Sequence, residues 1–373
     1  MPQLVAIDLP GGPGFVDAVR RVWDAGDAVM PIDGRLPREA RDALLREMAP
    51  GAVIDGSGEH SLPGGRPVES GDALVMPTSG STGRPKGVVL MHDAMAASAA
   101  ATSARLGATA DDHWLACLPL AHIGGFSVIT KALHTGSGLT VLPGFDAAAV
   151  TRAAADGATL VSLVATALQR IDPSIFRVIV LGGSRPPADR PANCVATYGL
   201  TETGSGVVYD GVALDGVELA IAADGEVLVR GAMVCRRYRD GSTPIDSDGW
   251  LHTDDLGRLD DEGRLHVDGR RGDVVVTGGE KVWPDVVERE LARHPGVAEV
   301  AVAGEDDPEW GQRVTAWIVP APGAAVPTLA ELRAVAAERL PAFMGPKMVH
   351  VVTSLPRTTL GKVQRHLLAG HSQ

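Results

Sequence analysis

Residues 77–87 read PTSGSTGRPKG and lie between two short apolar runs. The runs at 73–76 and 88–91 have strand character, so the stretch must join two strands and be held at both ends. Gly80, Gly83 and Gly87 allow backbone turns that other residues resist, letting successive N–H groups converge into an anion-binding nest. Thr78, Ser79, Ser81 and Thr82 add hydroxyl donors, and Lys86 adds a point charge suited to a mobile phosphate. This is not the P-loop of nucleoside triphosphatases, because no Gly-Lys-Ser/Thr triplet closes it and a strand-like run follows. The plain alternative is a Gly/Ser surface turn, against which stands the Pro-Lys-Gly hook ahead of a β run.

The chain has 373 residues, 45% of them hydrophobic, which suits two or three globular domains with real cores. With 34 basic and 46 acidic side chains the formal charge is −12, which argues against a nucleic-acid or anionic-membrane surface. An anionic ligand therefore needs positive charge supplied locally. Cys117, Cys194 and Cys235 are scattered and lack metal-ligand spacing, so neither a disulfide framework nor a zinc site is expected, and a reducing cytoplasm fits. No run approaches the roughly 18 apolar residues of a membrane span, and no basic segment precedes an apolar N-terminal core. A homodimer is compatible with the sequence.

Helical spacing at 15–23 and 38–48, with a strand-like run at 28–32 between them, opens an α/β pattern. Helices at 92–106 and 147–155 then alternate with strand-like runs at 138–142, 159–164 and 177–181, the rhythm of a large layered α/β domain. From about residue 216 short strands at 217–221, 225–229 and 264–267 alternate with Asp-Gly turns, as in a small β subdomain. After a charged, glycine-rich cluster at 269–273 come strands at 274–277, 297–303 and 313–319 and helices at 285–293 and 329–340. These suit a small, mobile α+β C-terminal domain, giving expected domains of 1–269 and 270–373.

Five further clusters carry chemistry. His122 sits between a proline-terminated strand and Gly124-Gly125, where it can line a pocket mouth or serve only structure. Gly182-Gly183-Ser184 ends a strand with bare backbone, which suits a planar ring packed against it. Tyr198-Gly199-Leu200-Thr201-Glu202-Thr203-Gly204 combines an aromatic face, a hydroxyl and a carboxylate, the parts for a base, a phosphate and a divalent ion. Asp254-Asp255 offers carboxylates that can accept two hydrogen bonds from vicinal ribose hydroxyls. Lys362 follows a glycine near the C-terminus.

Taken jointly and in this order, the clusters resemble the adenylate-forming superfamily of acyl-CoA synthetases, luciferases and nonribosomal peptide adenylation domains, over nearly the whole chain. Residues 77–87 are similar to its phosphate loop, 198–202 to its adenine and magnesium segment, 252–257 to its ribose segment, 269–273 to its hinge, and 356–362 to its catalytic-lysine loop. The resemblance implies that Thr78, Ser79, Gly80, Ser81, Thr82, Gly83 and Lys86 hold the phosphates of ATP. It implies that Tyr198, followed by Gly199, stacks on adenine bordered by Gly183 and Ser184, that Thr201 touches the α-phosphate, and that Glu202 holds Mg²⁺. Asp255 and Arg270 would bind the ribose, Lys362, His122 and Thr201 would be catalytic, and His122 with Gly204 would also line the acyl pocket.

The implied reaction is AMP-forming ligation of a carboxylic acid to coenzyme A. Three departures stand out. The usual Thr-Gly-Asp reads Thr253-Asp254-Asp255, and Gly272 stands at a hinge position often occupied by Asp or Lys. Residues 26–33 resemble a segment that lies deeper in ordinary relatives, implying a shortened N-terminal portion. With YGLTET followed by VVYDGVALDGV at 207–217, the chain most resembles compact members that activate 2-succinylbenzoate for menaquinone biosynthesis. That acid keeps an aryl carboxylate after activation, which needs a cation, and Lys131, nine residues after His122, is the choice once the phosphate loop and Lys362 are assigned to ATP. A lysine reaching to solvent from the end of its helix is the plain alternative. Other acids, carrier-protein loading, or nucleotide sensing without turnover are the rival functions; joint retention of Glu202, Asp255 and Lys362 argues against the last.

Overall fold

Short runs of Val, Ala, Met and Ile, too brief to make helices, become buried strands wherever turn residues bound them. The computed structural model describes residues 1–79, 85–183, 186–187, 189–357 and 363–371. Met1–Ala220 with Leu228–Thr253 forms one compact unit, and Ile221–Val227 with Asp254–Gln373 forms the other.

In the first unit one seven-stranded sheet runs Arg237–Tyr238, Pro85–Met91, Asp72–Ser79, Ala28–Pro31, Leu4–Ile7, Ala52–Asp55, Gly58–Ser61. Its central pairs are parallel, and its Asp72–Ser79 and Pro85–Met91 strands form an antiparallel pair around residues 80–84. The second seven-stranded sheet runs Val212–Ala213, Gly206–Tyr209, Cys194–Gly199, Val178–Leu181, Leu160–Leu163, His113–Ala116, Gly138–Val141. From Cys194–Gly199 to Gly138–Val141 every neighbour is parallel, so each connection must cross over the sheet, and helices make several of these crossovers. One of these, Ala147–Ala155, matches the expected span and is capped by Asp146, whose Oδ1 accepts the Ala149 N–H at 2.8 Å.

The helix Ile123–Thr135 takes Gly124 and Gly125 into its first turn. Gly125 is required there by packing, since a Cβ would fall 2.4 Å from the Pro119 carbonyl oxygen. An aromatic cluster fixes this helix against its neighbours. Phe126 meets Phe15 and Trp23 edge-on at 6.4 and 6.1 Å, Trp23 meets His92 at 5.4 Å, and the Trp23 indole donates to the Ala73 carbonyl at 2.8 Å.

All three cysteines are free and buried in this unit. Burial pushes the thiols of Cys117 and Cys235 up to about 12, and that of Cys194 upward as well.

The strands Val217–Ile221, Glu226–Gly231, Leu251–Leu259 and Leu265–Arg270 make a four-stranded sheet in that order. In the second unit Glu280–Val282, Val275–Thr277, Gly311–Pro320 and Val297–Asp307 follow one another, with Met348–Val351 added parallel to Gly311–Pro320. The helices Pro284–Leu291 and Leu329–Ala337 bury Val287, Leu291, Leu332 and Ala336 in the same core as this sheet's Val302, Val314 and Ile318. The chain is thus mixed α/β, with a large N-terminal region and a smaller α+β C-terminal one. Among the described residues no helix is long and apolar enough to cross a membrane.

Candidate active site

The phosphate-loop candidate rests on a paired base. Thr78 lies opposite Lys86 and Ser79 opposite Pro85, and the Thr78 hydroxyl donates to the Lys86 carbonyl at 3.3 Å. Gly80, Ser81, Thr82 and Gly83 lie outside the described residues. The Lys86 ammonium stands 4.7 Å over the ring of Tyr238, which pairs with Val88 on the edge of the same sheet. The Tyr238 hydroxyl in turn donates to Glu202 Oε1 at 2.9 Å. A chain of contacts therefore joins the base of the loop to the candidate metal ligand. No local sequence pattern marks Tyr238, which lies 36 residues from Glu202 along the chain.

Glu202 sits in the 3-10 turn Thr201–Thr203, which follows the strand Cys194–Gly199. The buried Thr203 hydroxyl accepts the Leu200 N–H at 3.0 Å, and Gly204 closes the turn at φ 69°. The same strand sets Tyr198 opposite Val208, so Tyr198 and Thr201 are half-buried neighbours in one segment. Gly199 cannot carry a side chain, as a Cβ would fall 2.3 Å from the Ser205 carbonyl oxygen. Gly183 follows the adjacent Val178–Leu181 strand with φ 81°, while Ser184 lies outside the described residues. Tyr238 occupies one Glu202 carboxylate oxygen, and the other could accept a divalent cation. A single carboxylate suits magnesium, which usually takes one or two carboxylates and fills its remaining positions with water and phosphate oxygens.

His122 caps the helix Ile123–Thr135, its carbonyl accepting from the Gly125 and Phe126 N–H groups at 3.0 Å each. Burial holds its imidazole down at about 4 against the opposing pull of Asp33, so the ring is neutral at physiological pH. Its Nε2 lies 3.8 Å from Asp33 Oδ2, and Asp33 is gripped by Arg35 through contacts of 2.8 and 2.7 Å. Burial raises the Asp33 carboxyl, but the Arg35 hydrogen bonds outweigh it and leave the group below its ordinary value.

Lys131, two turns along the same helix, does not reach solvent: it is 2% exposed. Its ammonium donates to Ser127 Oγ at 3.2 Å and stands 5.6 Å over the Trp114 ring. Among the described residues it has no carboxylate partner, and burial pulls it down to about 8. The neighbouring Phe126, Val128, Ile129 and Ala132 are all buried, which leaves the stem no route along a surface. Gly204 is buried too, and a Cβ there would come 3.6 Å from Ser98.

In the second unit Arg270 donates through Nε to Asp255 Oδ1 at 3.0 Å across the Leu251–Leu259 and Leu265–Arg270 strands. Asp254 has φ 58°, the left-handed region, and its N–H donates to Glu226 Oε1 at 2.9 Å. That explains the departure from Thr-Gly-Asp, since the position requires a conformation natural to glycine and tolerated by aspartate. Asp254→Gly is expected to change stability by less than about 0.5 kcal/mol in urea unfolding, whereas Asp254→Val should cost about 1–2 kcal/mol. Lys362 lies outside the described residues.

Residues 55–239 match the model of the AMP-binding enzyme family, and residues 286–362 that of the AMP-binding enzyme C-terminal domain. The chain is 40% identical to a probable 2-succinylbenzoate–CoA ligase of Mycobacterium tuberculosis, over 82% of its own length and 85% of that protein's. It is 34% identical to 2-succinylbenzoate–CoA ligase of Bacillus cytotoxicus, over 79% and 69%. Among solved structures, o-succinylbenzoate CoA synthetase of Bacillus subtilis with its acyl-adenylate intermediate superimposes with a TM-score of 0.87 at 28% identity, covering 98% of this chain and 87% of that one. The same synthetase in complex with ATP and a magnesium ion gives 0.85, covering 98% and 89%.

Proposed function

The chain belongs to the AMP-binding, adenylate-forming family of acid–CoA ligases, and from that premise we propose that it joins 2-succinylbenzoate to coenzyme A. A carboxylate resists thiol attack because its leaving group would be oxide, so it must first become a better acyl donor. One carboxylate oxygen of the acid attacks the α-phosphorus of ATP, the bond to pyrophosphate breaks, and an acyl-adenylate forms. The thiolate of coenzyme A then attacks the acyl carbon, the C–O bond to AMP breaks, and the thioester is released.

The residues take the following roles in this reading. Thr78 to Gly83 and Lys86 bind the β- and γ-phosphates, and Thr201 with Lys362 bears the charge that grows on the α-phosphoryl oxygens. Tyr198, Gly199, Gly183 and Ser184 hold the adenine, and Asp255 with Arg270 the ribose. Glu202, oriented by Tyr238, would hold magnesium, which when bound neutralises charge on the phosphates. His122, neutral and half-buried, borders the reacting carboxylate without adding a proton, and Gly204 leaves room for the acid beside it. The C-terminal portion turns about residues 270–272 between the two steps.

The observation that carries the choice of acid is Lys131. A buried ammonium with no carboxylate partner is costly unless something anionic completes it, and the aryl carboxylate that survives activation of 2-succinylbenzoate is such a group. The two similar ligases, both of which carry that acid in their names, support the same choice. The test is CoA-dependent AMP formation with 2-succinylbenzoate, benzoate and a fatty acid in parallel. Strong preference for the first is expected, and equal or greater turnover of either other acid overturns the assignment.

A further inference from the structure

Arg365, in the second unit, has a side chain only 14% exposed. Its Nε donates to the Val302 carbonyl at 3.2 Å, its Nη1 to Asp273 Oδ2 at 2.8 Å, and its Nη2 to the Glu288 oxygens at 3.0 and 2.9 Å and to Asp285 Oδ1. Asp285 and Glu288 lie on the helix Pro284–Leu291, Val302 on the strand Val297–Asp307, and Asp273 ends the 3-10 turn Arg271–Asp273. One planar fork thus ties together a helix, a strand and the residue immediately after positions 270–272.

Three carboxylates around one cation exceed what charge pairing requires. Burial and the nearby Asp285 push the Glu288 carboxyl above its ordinary value, against the pull of Arg365. A cation needed only to neutralise the helix would be satisfied by Asp285 and Glu288; the bond to Asp273 goes further and reaches the pivot. Arg365 also stands just beyond the closed ends of the segment that contains Lys362. Arg357 and Val363 form an isolated antiparallel bridge, and the Gln364 N–H donates to the Pro356 carbonyl at 2.8 Å.

We infer that Arg365 is a positioning residue for the adenylation half-reaction, fixing the ends of the Lys362 segment to Asp273 and so to the pivot. The inference rests on reading Lys362 as the lysine that stabilises phosphoryl charge. A link through the flexible chain alone would let that segment shift relative to the pivot, and displacements near 1 Å are enough to lower a reaction rate severely. A guanidinium can span the pivot and the helix together because its donors are set in a rigid fork, whereas an ammonium is a single point.

The test uses two variants of the full chain. Arg365→Lys keeps a positive charge among the carboxylates but cannot span them, and Asp273→Asn weakens only the link to the pivot. Adenylate formation is followed by pyrophosphate release, thioester formation by supplying 2-succinylbenzoyl-adenylate and coenzyme A, and folding by urea unfolding. Both variants are expected to slow adenylate formation about tenfold, through kcat more than through the KM for ATP, with thioester formation changed less than about twofold. Equal losses in the two half-reactions, or unaltered adenylation in Asp273→Asn, overturn the inference. If Lys362→Ala separates the half-reactions and these variants do not, the positioning role alone fails; if Lys362→Ala does not separate them, the reading beneath it fails as well.

Discussion

Replacing Lys362 by alanine slows acyl-adenylate formation about a hundredfold or more, while thioester formation from supplied acyl-adenylate continues at nearly its original rate. The asymmetry follows from where charge develops. In the first half-reaction negative charge accumulates on the α-phosphoryl oxygens as the acid attacks, and a preorganised ammonium there is stronger in the transition state than in the ground state. In the second half-reaction the bond-making atom is a thiolate sulfur and the phosphoryl group is already a leaving monoester, so the same ammonium has little left to stabilise. Pyrophosphate release and AMP release, measured separately, distinguish the two. A variant that loses both half-reactions alike removes Lys362 from this role.

Lys131→Met is expected to lower kcat/KM toward 2-succinylbenzoate by roughly 2–5 kcal/mol, and toward an analogue lacking the aryl carboxylate hardly at all. Methionine keeps most of the stem and removes the charge, so packing beside Trp114 is largely retained. Stability should move the other way. The folded ammonium titrates at about 8, below its ordinary 10.5, so the unfolded chain binds more protons between those values and stability rises with pH across that window. Below pH 8 the full cost of burying the charge is present, and the variant escapes it. Lys131→Met should therefore be more stable at neutral pH, on the order of 1–3 kcal/mol by urea unfolding, while being the poorer catalyst. The unaltered enzyme should also lose kcat/KM for 2-succinylbenzoate above about pH 8, with the analogue unaffected. Loss of both substrates together would make Lys131 structural.

Local pattern made much of the fold legible. The helix Ala147–Ala155 sits where residue type and spacing put it, and the apolar runs at 73–76 and 88–91 are strands, although pairing carries these strands through Ser79 and from Pro85 into what reads locally as loop. The Leu4–Ile7, Ala52–Asp55 and Gly58–Ser61 strands did not announce themselves, since four residues carry no period and their pairing is settled by partners elsewhere in the sheet. Single residues of the candidate site were readable from motifs, but the contacts between them were not. Tyr238 meets Glu202, Asp33 meets His122 and Arg365 meets Glu288 across 36, 89 and 77 positions, distances at which composition and spacing are silent. Lys131 is instructive in the other direction. The sequence leaves a solvent-reaching lysine as the plain alternative to a pocket cation, and the enclosure of its helix removes that alternative.

The state of the cysteines bears on an enzyme whose second substrate is itself a thiol. Cys117, Cys194 and Cys235 are buried, and burial raises their thiol pKa values, which leaves almost no thiolate at neutral pH. Oxidised coenzyme A or a neighbouring protein therefore finds no nucleophile with which to form a mixed disulfide while the first unit stays folded. All three thiols belong to that unit, so alkylation by iodoacetamide should report its opening alone and pass over any opening of the other. In a mild denaturant series the labelling rate becomes a clock for one half of the molecule, and labelling as fast as free cysteine under native conditions would show that the enclosure leaks.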